Sequence, residues 1–300
     1  MKNATSKVWL ALFFLYIVWG TTYLNIQYLV GNIPPIFASG IRNFLAGIIL
    51  FVLAIVTTKF EFPNLKTWIW SGLAGILMLS IGNGFLTVAV QWVPSGYASL
   101  FPAIIPVWLV ILQWIFDKKS PSYRILLGCL SGIIGVGLLV NLSSFALKGY
   151  EQYFALGVLF LIIATLSWSF GVMVAIKKAP SANVVVVASV QMIVGGAVSL
   201  MASGLMGEYA EIDTSKFDSQ LITAFAYLLF VASVAGFLVF NWVSREASPT
   251  LVATYNYVNP LVAISLGVFL NNESINTQFI FAAIAIIVAV ILITTDKNKG

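Results

Sequence analysis

The sequence holds no histidine, one cysteine and few charges: Asp, Glu, Lys and Arg make up 8% of its 300 residues. Soluble domains carry about 25% charged residues. A chain so poor in charge cannot cover a water-facing surface, which excludes a soluble enzyme, a disordered segment and a nucleic-acid binder. A lone Cys129 excludes a disulfide framework. Without histidine there is no Cys/His metal site and no Ser/His or Cys/His catalytic pair. A glycine-rich phosphate cradle is also missing, so the sequence points to no ATP drive, no cofactor and no metal.

What is abundant is apolar. Hydrophobic residues make up 60% of the chain, and the mean hydropathy is +1.01. A bilayer-crossing helix needs ~20 mostly apolar residues. Ten stretches meet that need: Val8–Gln27, Ile36–Thr57, Thr67–Trp92, Ser95–Phe116, Tyr123–Val140, Tyr153–Ile176, Val184–Met206, Leu221–Val243, Thr250–Leu270 and Gln278–Thr294. They are long and continuous, unlike the ~10-residue alternating strands of a membrane barrel. The connections are short, the longest being the acidic stretch Gly207–Ser219, and the third and fourth spans meet in a tight hairpin at Val93–Pro94. Lys2 and Lys7 precede the first run, but it is too long for a signal-peptide core and lacks a clear cleavage site. It reads as a retained helix.

With the N-terminus inside, twelve of the 15 Lys and Arg fall on the inner side, Lys148 and Lys216 fall outside, and Arg42 lies within a span. That bias predicts two cytoplasmic termini. The net charge of +5 is therefore a topology signal, not a nucleic-acid footprint.

The chain also overlays on itself. At an offset of 149 residues, Trp19 falls on Trp168, Arg42 on Gln191, and Ala46–Gly47 on Gly195–Gly196. At 154, Pro106 falls on Pro260 and Asp117 on Asn271. The change of offset belongs in the loops or in the third and eighth spans. The expected organisation is two repeats, residues 1–148 and 149–300, of five spans each. An odd number of spans sends the second repeat in from the opposite side. Inverted repeats place a substrate site near the midplane, at the repeat interface. The expected fold is thus an all-α membrane protein of ten transmembrane helices in two inverted five-helix repeats.

Polar groups inside hydrocarbon need a cavity or a partner. Arg42 is the one ionisable Asp, Glu, Lys, Arg or His deep within a span. It either receives a carboxylate or phosphate, or anchors itself by snorkelling or binding carbonyls. The first span carries Trp19, Gly20, Thr21, Thr22 and Tyr23, either a pore lining or a packed interface. Asn83, Thr87 and Gln91 recur every four residues and share one helical face, for cavity lining or inter-helix hydrogen bonding.

Pro102 and Pro106 interrupt the fourth span and Pro260 the ninth, as kinks that serve as gates or as rigid bends. Before Pro260 lie Tyr255, Asn256, Tyr257 and Asn259, the most polar and aromatic stretch inside any span. Gly128 and Gly132 on the fifth span read as close helix packing, with dimerisation as the alternative, and Cys129 as an inert buried thiol. No span interior holds Asp, Glu or His. That disfavours a mid-membrane carboxylate proton switch and suits movement down a gradient.

Taken together, Trp19-Gly20-Thr21-Thr22-Tyr23, Arg42, Gly82-Asn83-Gly84, Val93-Pro94-Ser95-Gly96 and Tyr257-Val258-Asn259-Pro260 resemble the EamA-type drug/metabolite transporter superfamily, in particular its bacterial inner-membrane members. The resemblance covers nearly the whole chain. It implies ten helices around a central cavity, with the fourth and ninth bordering it, and movement of small metabolites, often export of amino acids. Small multidrug relatives carry a first-span carboxylate that has no counterpart here.

The expected function is alternating-access transport of a small metabolite, most simply export of amino acids or related polar or aromatic solutes. Uptake, or a non-transporting scaffold or sensor, is the alternative, and an enzyme is disfavoured. The expected substrate contacts are Trp19, Thr22, Tyr23, Arg42, Asn83, Thr87, Gln91, Trp168, Tyr255, Asn256 and Asn259. The partners are a small-molecule substrate and the bilayer, without nucleic acid, in a monomer or weak homodimer.

Overall fold

The computed structural model describes residues 6–58, 60–93, 98, 101–118, 120–138, 153–178, 182–262 and 277–296. Every regular element among them is helical. The first is α1 (Ser6–Gly20), followed by α2 (Thr22–Val30), α3 (Pro35–Thr57), α4 (Leu65–Ala89), α5 (Phe101–Asp117) and α6 (Tyr123–Leu138). Then come α7 (Phe154–Lys177), α8 (Val184–Leu205), α9 (Ser219–Glu246), α10 (Pro249–Val252), α11 (residues 255–262) and α12 (Thr277–Thr294). Of these, α3, α4, α7, α8 and α9 are each long and apolar enough to cross a membrane, and α1, α5, α6 and residues 280–294 of α12 are shorter apolar helices. Leucine, isoleucine and alanine runs supply both the propensity and the apolar length.

Side-chain caps set the helix starts. Asn64 accepts from Thr67 N at 2.9 Å, Asn183 from Val185 N at 2.9 Å, Asp218 from Leu221 N at 2.7 Å and Ser248 from Leu251 N at 3.3 Å. Helix α3 starts differently. Pro35 sits in its first turn without a local cap, and Glu208, from the loop after α8, accepts from Ile36 N at 3.2 Å and Phe37 N at 2.7 Å.

Three expected spans are shaped differently. The first breaks at Thr21, whose hydroxyl donates to Val18 O at 2.8 Å and also pairs with the Tyr227 hydroxyl. The fourth is a short 3-10 turn, Phe101–Ile104, leading into an α-helix that begins at Ile105. Pro106 therefore occupies the first turn, where its missing N–H costs nothing, and is not a mid-helix kink within the described residues. The ninth breaks at Ala253–Thr254, before α11, while Pro260 lies inside a helical run. Tyr97, Asn271 and the outer Lys148 lie outside the described residues, as do residues 94–96 of the hairpin and 263–270 of the ninth span.

Helices α4 and α9 share a feature absent from the sequence pattern. Each passes from α into π geometry, over Ile76–Asn83 and Tyr227–Ala235, and returns to α at a glycine, Gly84 and Gly236. Those glycines are 152 residues apart, between the two sequence offsets. The change of register thus straddles the π segments.

Packing pairs corresponding helices. The most extensive contact is α3 on α8, and next is α6 on α12. Helix α4 packs on α7 and α8, as α9 packs on α1 and α3. Glycine makes the tightest crossing possible: a methyl built on Gly47 would sit 2.5 Å from Ile193 N, and one on Gly196 would sit 2.4 Å from Phe44 N. The largest apolar core joins α1, α3, α4, α5, α7, α8, α9 and α10, with Leu12, Leu15, Leu50, Met78, Leu109 and Met192 buried in it.

Candidate functional site

At the centre of the bundle lies a cavity of about 130 Å³, lined from α1 to α5, from α7 to α9 and from α11. The α6–α12 pair stands clear of it. A comparable apolar cavity of ~150 Å³ holds a benzene molecule.

One wall is aromatic. Trp19 and Trp168 meet edge to face with ring centres 6.1 Å apart. Tyr255 packs against Trp19 at 4.7 Å, and Phe240 backs both tryptophans at 5.3 and 6.0 Å. Phe237 completes the lining on α9. Such edge-to-face stacks add about 0.5–1.5 kcal/mol each beyond burial, so the wall is rigid.

The other walls carry polar groups whose hydrogen bonds are largely local. Thr22 donates to Trp19 O at 2.7 Å, Thr165 to Ile162 O at 3.0 Å and Asn256 to Ala253 O at 3.1 Å. The amide nitrogen of Asn259 donates to the carbonyls of Tyr255 at 2.9 Å and Tyr16 at 3.2 Å, which ties α11 to α1. Pro260 has no N–H for the carbonyl of Asn256 four residues before it. Arg42 differs from all of these. It lies in the second turn of α3, 7% exposed, and lines the cavity. No described residue accepts a hydrogen bond from it.

At one end inter-helix hydrogen bonds cross beside the cavity. The Tyr16 hydroxyl bonds Thr254 Oγ1 at 2.7 Å, and Gln113 Nε2 donates to Thr250 Oγ1 at 3.2 Å. Farther along that end Lys177 pairs with Asp117. On the opposite side the lining continues through Ile26 of α2 and Leu86 of α4.

Of the residues singled out from sequence, Trp19, Thr22, Arg42, Asn83, Trp168, Tyr255, Asn256 and Asn259 are brought together in the lining, and so is Pro102. Thr87, by contrast, is buried outside it and donates back to Asn83 O at 2.6 Å. Gln91 is exposed and lies past the end of α4. The four-residue stripe assumed a helix running through Gln91, but α4 ends at Ala89. Pro106 and Pro260 are outside the lining, and the Tyr23 side chain lies outside the described residues. Tyr257 is fully buried away from the cavity, against Gly132 of α6, and donates to Cys129 O at 3.5 Å.

Sequence reading missed Asn43, Thr165, Ser233 and Phe237, all of which line the cavity. Asn43 adjoins Arg42 and Thr165 lies one turn before Trp168, so a turn-by-turn extension from those two would have found them. Ser233 sits in a π segment and had no such signal.

A model of the EamA-like transporter family matches residues 6–141 and again residues 155–295. The inner membrane transporter YedA of Escherichia coli strain K12 is 31% identical over 288 residues, 96% of this chain and 90% of its own. The transporter YvbV of Bacillus subtilis is 23% identical, covering 98% of this chain and 93% of its own. Protein PagO of Salmonella typhimurium is 24% identical, at 97% and 95% coverage. A crystal structure overlays with a TM-score of 0.77 at 16% identity, covering 96% of both chains, a likeness of fold.

Proposed function

The chain belongs to the EamA-like transporter family, and from that premise we propose that it moves a small metabolite by alternating access, as an exporter of amino acids or related polar or aromatic solutes. It is a multi-pass transporter of the inner membrane. The observation that carries the mechanism is the cavity itself. It is formed by helices of both halves, with Trp19 touching Trp168, and we read the end crossed by the Tyr16–Thr254 and Gln113–Thr250 hydrogen bonds as its sealed end. A solute site that closes on one side and continues toward the other is what alternating access requires.

The proposed frame is ten spans in two inverted repeats, 1–148 and 149–300, with both termini cytoplasmic. The charge bias supports the orientation, and the pairing of α3 with α8 and α6 with α12 supports the repeat. In this frame the sealed end faces the cytoplasm. Coupling to a carboxylate inside the site is not part of the reading, because no Asp or Glu among the described residues lines the cavity.

The test compares metabolites in medium and cytosol of cells expressing the chain with cells expressing Tyr255→Ala/Asn256→Ala, at matched membrane levels. A solute enriched outside only with the intact chain is the expected result. Enrichment inside overturns export in favour of uptake. Identical profiles across a broad metabolite panel overturn transport and favour a scaffold.

A further inference from the structure

We propose that Arg42 is the anion-binding group of the cavity and that the cargo is a small monocarboxylate with a planar, aromatic body. The inference rests on the transport reading and adds the chemistry of the cargo to it.

Arg42 is 7% exposed, lines the cavity and has no acceptor among the described residues. Among the described residues no carboxylate lines the cavity with it. A guanidinium buried without a counter-charge is costly, and no described residue in the lining carries a charge that offsets that cost. Its planar fork fits the two oxygens of a carboxylate. The sequence counterpart of Arg42 is Gln191, which is fully buried and outside the lining. The positive charge therefore comes from one half only. One negative charge matches it, whereas a doubly charged phosphate ester leaves a charge uncompensated in a largely apolar cavity.

Trp19 donates its indole N–H to Ala232 O at 3.2 Å, but the corresponding Nε1 of Trp168 is buried without a partner. Arg42 is thus the donor-only group that reaches the cavity without an acceptor among the described residues, and what it lacks is a solute with acceptor oxygens. The edge-to-face tryptophans and Tyr255 supply a wall for a flat body, and about 130 Å³ limits that body to roughly one ring.

The experiment uses the purified full-length chain in detergent with three probes of similar shape: benzoate, benzamide and phenyl phosphate. Binding is read as a shift in melting temperature and as a change in tryptophan fluorescence, since Trp19 and Trp168 line the site. Benzoate is expected to bind at least tenfold more tightly than either other probe. Arg42→Gln is expected to weaken benzoate at least tenfold and benzamide by much less, Arg42→Lys to recover part of the benzoate loss, and Lys216→Gln, an exposed charge between α8 and α9, to change nothing.

Equal binding of benzoate and benzamide, preference for phenyl phosphate, or unchanged benzoate binding by Arg42→Gln overturns the proposal. If Arg42→Gln does not fold, the comparison of probes on the wild-type chain and Arg42→Lys decides. The two readings fail separately. Benzoate that binds through Arg42 but never crosses proteoliposomes overturns transport. Flux of a neutral solute without benzoate binding overturns the anion site.

Discussion

Ser131 donates its hydroxyl to the carbonyl of Ala285 at 2.8 Å, and 154 residues separate the two. That is the offset at which the second half of the sequence overlays the first, so Ser131 touches its own counterpart. Its neighbours obey the same rule. A methyl on Gly128 would sit 3.2 Å from Ala289 O, and one on Gly135 would sit 3.1 Å from Ala282 O. Gly128 corresponds to Ala282 and Gly135 to Ala289, so the two contacts are one contact repeated. At the α3–α8 crossing Gly47 meets Ile193 as Gly196 meets Phe44, at an offset of 149. Reciprocal contacts of this kind are the mark of a two-fold relation between the two sides of an interface. They support the inverted-repeat reading more directly than the sequence overlay does, because they are distances between backbones.

The first prediction separates packing glycines from idle ones. Gly135→Val would drive a side chain into Ile286 and the backbone of α12, and overpacking of this kind costs about 1–3 kcal/mol or more. Gly137 has nothing within 4 Å of a built methyl, so Gly137→Ala is expected to be neutral or to stabilise by up to about 1 kcal/mol through helix propensity. Melting temperatures of the two purified variants decide. Equal destabilisation would mean that the α6–α12 crossing is not the tight interface described.

The two central tryptophans are predicted to differ although they correspond in sequence. Trp19→Phe removes a donor and leaves the Ala232 carbonyl without it, for a loss of about 1 kcal/mol in stability. Trp168→Phe removes an N–H that has no partner, and its stability is expected to stay within about 0.5 kcal/mol of wild type beyond the small change in ring area. Thermal or denaturant melts in detergent measure the difference. A larger loss at Trp168 contradicts the hydrogen-bond assignment.

Glu208 holds the start of α3 from a distance. It is 7% exposed, and its two oxygens accept from consecutive amides, Ile36 N and Phe37 N. Glu208→Ala is expected to cost about 1–2 kcal/mol, the usual worth of a helix cap strengthened by charge. Glu208→Gln keeps one acceptor and should lose roughly half of that. Proteolysis of the α8–α9 loop gives a second readout, since a loosened Glu208–Tyr209 turn exposes its backbone. Unchanged melting and unchanged cleavage would show that α3 needs no cap from this loop.

Much of the site was legible because polar groups stand out against apolar runs. Arg42, Asn83, Asn256 and Asn259 are rare within their segments, and all four line the cavity. The repeat pairs Trp19 with Trp168, and the fold sets the two rings edge to face. What was not legible depends on hydrogen-bond register. A π turn changes no residue type, so nothing marked Ile76–Asn83 or Tyr227–Ala235, and the projected stripe through Thr87 and Gln91 failed once α4 ended at Ala89. The prolines misled for a related reason. A continuous apolar span makes Pro106 look like a kink, whereas it sits in the first turn of an α-helix, and the break in the ninth span comes at Ala253–Thr254.

That break is where the sealed end is expected to open. The Tyr16 hydroxyl bonds Thr254 Oγ1 at 2.7 Å, and Thr254 also donates to Leu251 O at 2.7 Å. Tyr16→Phe therefore removes the link between α1 and the break while leaving Thr254 with its own acceptor. The loss is about 0.5–1.5 kcal/mol. If the bond exists only in the sealed state, the same energy shifts the population toward the open one by several-fold. Val252 beside the break is 2% exposed, so Val252→Cys in a Cys129→Ala background reports the opening. An impermeant maleimide applied from the sealed side should label that cysteine several-fold faster when Tyr16→Phe is added. Faster labelling with only the small drop in melting that this loss implies would identify the Tyr16–Thr254 bond as a latch. An unchanged rate would place the closing contacts elsewhere, at Gln113–Thr250 or at the Lys177–Asp117 pair.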